Sequence, residues 1–409
     1  MLKRIHTEQL RIGMHVHELC GSWMDHPFWR GSFLLDNPDD LLTILSTGIK
    51  EAWIDTAKGL DVEDGAAEKT ISAEVEATLA KADTTGKFPA HIGTAQEAGP
   101  AAMICARSKQ AVASMFQEAR MGKALNAKDA LPIVEEISAS VMRNPGALIG
   151  LARLKNKDEY TYMHSVAVCA LMVSLARQLG LEDDQVRHAG MAGLLHNVGK
   201  MMIPLEILNK PGKLTDAEFE LIKSHPAEGY KMLQSGNGIS EIAQDVCLHH
   251  HEKVDGNGYP DRLSNQQISL YAKMGAVCDV YDAITSNRPY RNGWEPSESI
   301  RKMAEWSAGH YDPVVFQAFV KSIGIYPVGS LVRLESDRLG VIIEQTTKSL
   351  LSPVVKVFFS IKSNGRVAPE ILDLSKPACR DKIVSHEDPE KWKIPDIHQL
   401  WSGLPSNSW

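Results

Sequence analysis

The chain contains 15 histidines, and several of those in its middle part lie beside acidic residues and glycines. These are His164, His196, His225 and the run His249-His250-His251, with Asp279 further along the chain. Neutral imidazole and carboxylate groups are ligands that suit divalent transition metals such as iron and manganese. A single histidine on an apolar helix face, such as His164, is more often a hydrogen-bonded core residue than a ligand. The histidines alone therefore raise only the hypothesis of a metal site.

The sequence around these histidines is much more distinctive. His196 begins the string HNVGK, His250 begins the string HHEKVDGNGYP, and Tyr281 begins the string YDAITSNRPYR. The three strings resemble the signature motifs of the HD-GYP phosphodiesterases, a branch of the HD metal-dependent phosphohydrolases. The resemblance extends over about residues 130–325. The long HHExxDGxGYP pattern is far more specific than an isolated His-Asp pair, so chance agreement is negligible.

The resemblance implies a centre of two divalent metal ions, with iron or manganese expected. One ion would be held by His164, His196 and Asp279, and the other by His225, His250 and His251, with residue 197 bridging the two. Two metals about 3.5 to 4 Å apart activate a water between them and neutralise charge that develops on phosphorus. Some family members hold a third metal with a glutamate four residues before the first histidine. Tyr160 stands at that position here, so two metals are expected.

Other positions match residues that contact the substrate in the family. These are Lys200, Gly258, Tyr259, Pro260, Arg288 and Arg291. The resemblance assigns catalytic roles to Lys200 and to position 197. A lysine supplies a point charge to a phosphate oxygen, and an arginine such as Arg288 can bind phosphate through two N–H groups. Gly256 and Gly258 would let the backbone approach a bulky nucleotide. An ordinary loop turn for the glycines and a solvated face for the arginines remain open alternatives.

Asn197 stands where the family has the aspartate of its His-Asp pair. A carboxylate can bridge two cations through its two oxygens, whereas an amide has one neutral oxygen and a nitrogen that ligates poorly. The asparagine should therefore weaken metal binding, or leave a site with one metal, and should raise the pKa of a bound water. Three explanations stay open: an engineered or recent change, a naturally degenerate member, or a site whose other ligands suffice for slow turnover.

A series of helices must position these residues. A helix is predicted over 159–179, because His164 and the apolar residues that follow lie on one face, and Gly180 would end it. Thr215 and Glu218 form a capping box for a later helix. Further helices are predicted over residues 183–195, 216–224, 226–234, 239–251, 270–286, 297–308 and 313–323. The expected fold class is mainly α, with a helical HD-GYP bundle as domain 130–325.

Smaller segments flank the bundle. Residues 1–83 contain short alternating apolar runs broken by glycines, which predicts a small mixed α/β domain. Residues 84–129 are interpreted as a linker and connecting helix, with a flexible connection over 84–102 because Gly, Ala and Pro are frequent there. Strands predicted over 331–334, 340–344 and 354–361 make residues 326–409 a β-rich extension.

The opening residues 10–35 also resemble the small domain that precedes HD-GYP in many bacterial proteins. This segment contains Gly13-Met14 and the string SWMDHPF, which begins at Ser22. Its aromatic residues Trp23, Phe28, Trp29 and Phe33 are interpreted as a small core rather than as a ligand box. The resemblance suggests only regulation or protein contact as the role of this domain.

Composition and charge exclude several classes of function. The formal net charge is -7 and the sequence pI is about 6.1, so a broad basic surface for polymeric nucleic acid or anionic lipid is not expected. We find neither a membrane span nor the apolar core of a signal peptide. The six cysteines are scattered without a CxxC pair, which is typical of reduced thiols. A cytoplasmic location is therefore expected.

The primary hypothesis is a phosphodiesterase that hydrolyses cyclic di-GMP to the linear dinucleotide pGpG, and a second cut to GMP stays open. In-line attack on phosphorus would expel the 3′ oxygen. Nothing in the motifs distinguishes the bases, so 3′,3′-cyclic GMP-AMP is the alternative substrate.

Asn197 motivates a hypothesis of another class, a non-catalytic sensor or adaptor. It would bind a cyclic dinucleotide or a diguanylate cyclase domain through the Gly258-Tyr259-Pro260 surface. Metal content separates the two, because an adaptor needs no metal. The oligomeric state is not readable from the sequence.

Overall fold

A computed structural model describes most of the chain, namely residues 1–20, 32–47, 49–62, 65–83, 92–154, 160–210, 214–286 and 293–405. At Tyr160 and Ala308 only the backbone is described. Several residues singled out in the sequence lie outside the described residues, namely the SWMDHPF string, Trp29, Arg288, Arg291 and residues 84–91 of the linker.

The N-terminal domain is a small antiparallel sheet with two helices. Its elements are β1 (Leu2–His6), β2 (His15–Cys20), β3 (Phe33–Leu34), α1 (Pro38–Ser46), β4 (Glu51–Asp55), β5 (Ala66–Ala67) and α2 (Glu68–Ala80). The strand order is β3-β2-β4-β1-β5, so β4 is paired on both sides. Ile5 pairs with Ala52 and Val16 with Ile54, which places apolar side chains in a core of its own. Phe33 belongs to that core.

The helical domain occupies the middle of the chain. Its helices are α3 (Thr94–Arg120), α4 (Ala127–Arg143), α5 (Pro145–Ala152), α6 (Tyr160–Gln178), α7 (Asp183–Leu195), α8 (Leu205–Leu208), α9 (Asp216–Lys223), α10 (His225–Gln234), α11 (Glu241–His249), α12 (Leu270–Thr285), α13 (Pro296–His310) and α14 (Pro313–Ile323). Helix α6 is central and is buried without interruption from Met163 to Ala176. Gly193 lets α7 lie against it, because a Cβ there would be 2.9 Å from the carbonyl oxygen of Val168.

The mainly α fold class predicted from the sequence is confirmed. Each of the eight predicted helices is present, with ends within two residues of those expected. The predicted capping box of α9 also forms. The Thr215 hydroxyl accepts from the backbone N–H of Glu218 at 3.2 Å, and the Glu218 carboxylate accepts from the backbone N–H of Thr215 at 2.7 Å.

The flexible connection expected over residues 84–102 is wrong for residues 94–102, where the chain already forms helix α3. Ala98 and Ala101 are buried there, and such small side chains give little hydropathy periodicity even when they pack closely. Glu97 is also fully buried and is paired with Arg143, whose Nε lies 2.7 Å from its Oε2. The sequence does not show that Glu97 is buried, because its partner Arg143 lies on another helix, α4.

The C-terminal segment forms a second antiparallel sheet and a short helix. Its elements are β6 (Leu331–Leu334), β7 (Arg338–Glu344), β8 (Val354–Ser360), β9 (Gly365–Asp373), β10 (Ile383–Glu387) and α15 (Ile397–Ser402), and the strand order is β10-β6-β7-β8-β9. The three predicted strands are present. Strand β9 was not expected, because it is an edge strand with a proline and an exposed run from Arg366 to Ile371. In the described part of the chain, no helix combines the length and hydropathy needed to cross a membrane.

Candidate metal centre

Six buried side chains from five helical segments converge inside the helical domain. Their ligand atoms form two groups, in each of which the atoms lie within 4.8 Å of one another. We call His164, His196 and Asp279 the carboxylate cluster, and His225, His250 and His251 the histidine cluster. The two clusters adjoin, because His251 Nδ1 lies 3.9 Å from an Asp279 oxygen and the rings of His196 and His250 are 4.9 Å apart. The sequence prediction named these same six residues.

Oxygen acceptors fix the orientation of the two rings in the carboxylate cluster. His164 Nδ1 lies 2.6 Å from an Asp282 carboxylate oxygen, and His196 Nδ1 lies 2.7 Å from the Gly193 carbonyl oxygen. Because these oxygens only accept, Nδ1 of each ring carries a proton, and Nε2 of each ring is directed inward. The two Nε2 atoms are 3.3 Å apart, and His164 Nε2 is 2.9 Å from an Asp279 oxygen. A divalent cation between these atoms could be bound by both Nε2 atoms and the Asp279 carboxylate.

Backbone carbonyl oxygens orient two rings of the histidine cluster in the same manner. His225 Nδ1 lies 2.7 Å from the Ile222 carbonyl oxygen, and His250 Nδ1 lies 3.0 Å from that of Val246. Their Nε2 atoms are 3.4 Å apart. His251 Nε2 is buried and has no hydrogen-bond partner among the described residues. A buried nitrogen without a partner costs about 1 to 3 kcal/mol, and a metal ion at this point would remove that cost.

Burial also sets the protonation state that metal ligation requires. Burial is the largest cause that lowers the pKa of His196, His225 and His251, and it lowers the pKa of His250 to about 3. These four imidazoles are therefore neutral at pH 7 and have a lone pair to donate. Nδ1 held by an oxygen acceptor and Nε2 directed inward is the usual arrangement of metal-binding histidines. The donor set fits divalent metal ions.

Asn197 is fully buried beside His196 of the carboxylate cluster. Its Nδ2 is 2.6 Å from His196 Nε2, and its Oδ1 has no hydrogen-bond partner in the described part of the chain. In this orientation the amide donates to the lone pair that a metal would use. A half turn of the amide about χ2 exchanges the two atoms and directs the oxygen at the same point. Asn197 therefore offers one neutral oxygen at most, where a carboxylate offers two oxygens and a negative charge.

Lys200 reaches the site on a short 3₁₀ turn, Val198–Met202. A Cβ at Gly199 would lie 1.9 Å from the carbonyl oxygen of His225, so only glycine allows this turn to lie against the start of α10. The Lys200 charge contributes, after burial, to the low pKa of His225. Lys200 thus places a positive charge beside the histidine cluster, where the sequence prediction expected a phosphate contact.

Tyr259 covers the histidine cluster from the loop that follows α11. We call residues 252–263 the GYP loop, after Gly258-Tyr259-Pro260. The Tyr259 ring stacks on His251 with 4.8 Å between ring centroids and 25° between planes. The cation of Lys223 lies 5.8 Å from the Tyr259 ring centroid, a neighbour that the sequence analysis missed. An aromatic face and a cation therefore border the site on this side.

The glycines of the GYP loop are explained by the loop's own packing. Gly256 has a φ of +78°, and a Cβ at Gly258 would lie 2.4 Å from the Cα of Glu252. The Glu252 carboxylate closes the loop by accepting from the backbone N–H groups of Asp261, at 2.7 Å, and Leu263, at 3.0 Å. No ligand is needed to account for the two glycines. Substrate contact by Gly258 and Pro260 stays a prediction.

Sequence reasoning also missed the roles of two buried carboxylates. Asp282 lies three residues after Asp279 on helix α12, and the His164 ring that it orients comes from another helix, α6. Glu252 belongs to the HHExxDGxGYP string, and nothing in the string indicates that its partners are backbone groups. The i, i+3 spacing of two acids on a buried face was the available signal for Asp282.

Comparison with known proteins places these residues in described families. Residues 2–130 match a domain of unknown function, DUF3391, and residues 143–315 match the HD domain. A cyclic di-GMP phosphodiesterase of Pseudomonas aeruginosa is 56% identical over 409 residues, which is 100% of this chain and 97% of that protein.

More distant relatives match part of the chain. A cyclic di-GMP phosphodiesterase response regulator of Xanthomonas campestris is 40% identical over 148 residues, 36% of this chain and 39% of the relative. A 3′3′-cGAMP-specific phosphodiesterase of Vibrio cholerae is 36% identical over 167 residues, 41% of this chain and 38% of the relative. The similarity that these relatives share with this chain therefore covers less than half of each protein.

Proposed function

The chain belongs to the HD-GYP branch of the HD metal-dependent phosphohydrolases, and we propose that it hydrolyses cyclic di-GMP to pGpG, at a rate that Asn197 lowers. The observation that carries this proposal is the convergence of inward-directed Nε2 atoms and the Asp279 carboxylate beside Lys200. The full-length similarity to a cyclic di-GMP phosphodiesterase supports the choice of substrate. Hydrolysis breaks the bond between phosphorus and the 3′ oxygen, and a water supplies the new bond to phosphorus.

The ligand assignment is part of the proposal. His164, His196 and Asp279 would hold one divalent ion, and His225, His250 and His251 the other, with the Asn197 oxygen directed between them. When bound, such ions supply an activated water and neutralise charge on the phosphoryl oxygens. Iron or manganese is proposed because imidazole and carboxylate donors suit both metals.

The protein's own residues would bind and orient the dinucleotide. Lys200 would place its ammonium group against a non-bridging phosphate oxygen, since its charge already acts on the histidine cluster. Tyr259 would border the groove and exclude water from the side that it covers. Arg288 and Arg291 would add phosphate contacts, on the strength of the sequence motif alone.

Two other functions compete with this one. Cyclic GMP-AMP is the alternative substrate, which the similarity to a cGAMP-specific phosphodiesterase supports. A non-catalytic adaptor that binds a diguanylate cyclase domain through the Gly258-Tyr259-Pro260 surface is the other, and Asn197 is the observation that favours it. The metal content of the purified protein separates an adaptor from an enzyme.

Domain limits and location complete the proposal. We propose the division 1–83, 84–129, 130–325 and 326–409, which the two separate sheets on either side of the helices support. Helix α3 is the connecting helix of 84–129, and its buried side chains belong to the core of the helical domain. All six cysteines are free thiols, and four of them are buried, which supports a reducing, cytoplasmic location.

The test is hydrolysis of cyclic di-GMP by the chain and by Asn197→Asp, each loaded anaerobically with ferrous iron or manganese. His250→Ala serves as the inactive control, and metal content is measured for every sample. We expect cleavage by the Asp variant and slower or no cleavage by the chain with asparagine. If neither protein cleaves cyclic di-GMP while both hold metal, the proposed substrate is wrong, and cyclic GMP-AMP is assayed in the same samples.

A further inference from the structure

The N-terminal domain contacts the GYP loop through one ion pair. Lys50 Nζ lies 2.7 Å from an Asp255 carboxylate oxygen, and the two residues are 205 positions apart in the sequence. The match to a domain of unknown function covers Lys50, and the HD match covers Asp255. The pair therefore joins a domain without an assigned role to the loop that covers the metal centre.

On its own side, Lys50 is attached to a rigid part of the N-terminal sheet. Its carbonyl oxygen accepts from the backbone N–H of Thr7 at 2.8 Å, and the buried Thr7 hydroxyl donates to the Ile49 carbonyl oxygen at 2.9 Å. The backbone that carries the Lys50 side chain is thus fixed immediately before β4.

The N-terminal domain is itself seated on helix α13. Lys302 Nζ lies 2.6 Å from a Glu18 carboxylate oxygen, and the Trp53 indole N–H donates to the Glu305 carboxylate at 2.5 Å. Both partners on α13 are largely buried. The sheet is therefore positioned relative to the helical domain independently of Lys50.

On the loop side, Asp255 is fixed by backbone and side chain together. Its N–H donates to the carbonyl oxygen of Gly309, at the end of α13, at 3.0 Å. Its carboxylate accepts from the backbone N–H of Asn257 at 3.0 Å and from the Asn257 side chain at 2.7 Å. One carboxylate thus ties the Lys50 cation to the turn that leads to Gly258 and Tyr259.

The same turn determines how Tyr259 meets the site. The backbone N–H of Tyr259 donates to the carbonyl oxygen of His251 at 3.3 Å, and the two rings stack. Asn257 stands two residues before Tyr259, so we expect a shift of the Asp255-Asn257 turn to move the Tyr259 ring. The path from Lys50 to His251 consists of the ion pair, the hydrogen bonds from Asn257 to Asp255, the chain from Asn257 to Tyr259 and the stacked rings.

We propose that Lys50 is a positioning residue, by which the N-terminal domain holds the GYP loop with Tyr259 stacked over the histidine cluster. Lys50 acts on the site through Asp255 and does not touch the reacting groups. The expected effect of Lys50 on turnover rests on the proposed function, whereas the expected effect of Lys50 on the GYP loop does not. Lys50 is 63% exposed, so the ion pair should change substrate KM by roughly two- to fivefold rather than abolish binding.

The experiment compares Lys50→Met, Lys50→Glu and Lys50→Arg in the full-length protein. Hydrogen exchange at the amides of residues 256–259 reports on the loop without substrate, and KM and kcat for cyclic di-GMP are measured in the Asn197→Asp background. Lys58→Met is the matched control, because Lys58 pairs with Asp55 inside the N-terminal domain at 3.5 Å. We expect faster loop exchange and higher KM for Met, a larger change for Glu, and recovery with Arg. Metal content and kcat should stay unchanged.

Asp255→Asn tests whether Lys50 acts through Asp255. With asparagine at position 255, Lys50→Met should add no further change in loop exchange or KM. Loop exchange equal to that of the Lys58→Met control in all three Lys50 variants would overturn the inference. Loop exchange and KM that change equally in Lys50→Arg and Lys50→Met would also overturn the inference. If no protein cleaves cyclic di-GMP but loop exchange follows the expected order, the proposed function fails and the positioning role stands.

Discussion

The two clusters of the metal centre have similar shapes but different charges. The carboxylate cluster contains Asp279, and a second carboxylate, Asp282, lies behind His164. The histidine cluster consists of three imidazoles that burial keeps neutral, and the Lys200 charge acts on all three of its rings. A cation is attracted to the first cluster by charge as well as by lone pairs, and to the second by lone pairs alone.

This difference shows where the asparagine has its effect. An aspartate at position 197 would supply negative charge to both clusters, but only the histidine cluster depends on it, because it has no carboxylate of its own. Asn197 therefore leaves the carboxylate cluster with one anionic side chain, Asp279, and the histidine cluster with none. The sequence predicted weak metal binding or a single metal. From the geometry we expect that single metal in the carboxylate cluster.

Removal of the Asp279 carboxylate should have the largest effect on metal binding and turnover. We expect Asp279→Ala to weaken binding of the tighter metal by more than about 100-fold, above the range typical of changes in orienting partners, and to abolish turnover. Metal content after dialysis and cyclic di-GMP hydrolysis are the measurements. Asp245→Ala is the control, since Asp245 is a half-buried carboxylate that contacts His249 outside both clusters. Full metal content in Asp279→Ala would exclude the ligand assignment.

Restoring a carboxylate at position 197 should have the next largest effect, in the opposite direction. One added charge about 4 Å from a cation is worth about 4 kcal/mol at the effective dielectric constant of a protein site, before desolvation offsets part of it. We expect Asn197→Asp to tighten the weaker metal by roughly 30- to 100-fold and to leave the tighter metal within a fewfold. Titration with manganese, followed by paramagnetic resonance, separates the two binding steps. Equally tighter binding of both metals would contradict the expected difference between the two clusters.

Much of the fold was predictable because its signals are local. The ends of α7 and α14 follow from caps and periodicity within each helix, and the predicted and observed limits coincide. The start of helix α3 and strand β9 were missed for opposite reasons. The start of α3 buries small residues without periodicity, and β9 exposes its side chains at a sheet edge, so neither has the pattern that indicates its structure.

For the metal centre, the sequence predicted which residues meet but not the groups that orient them. Long motifs predicted which histidines and which aspartate would meet, although the ligand roles remain to be tested. The acceptors that orient the rings could not be predicted, because the carbonyl groups of Ile222 and Val246 are present in any sequence. The Lys50–Asp255 pair joins positions 205 residues apart, and no local pattern indicates such a contact.

A change confined to the histidine cluster should have a smaller effect in this chain, since that cluster already lacks an anion. We expect His250→Ala to weaken the second metal by roughly tenfold to 30-fold and the first by less than about threefold. The measurement is the metal stoichiometry at rising manganese concentration, with circular dichroism as the check on folding. Simultaneous loss of both metals would mean that the two clusters bind as one unit.

The smallest expected effect comes from Asp282→Asn, which keeps the volume but removes the charge behind His164. His164 Nδ1 would still have an oxygen acceptor, but a neutral one, so its Nε2 becomes a weaker donor. We expect about tenfold weaker binding at the carboxylate cluster and no change at the histidine cluster, measured in the same manganese titration. The histidine cluster offers no matching variant, because backbone carbonyl oxygens orient His225 and His250. Side-chain substitution behind the ligands can therefore tune one metal while the other stays fixed, and an effect of Asp282→Asn on both would show that the clusters share one electrostatic environment.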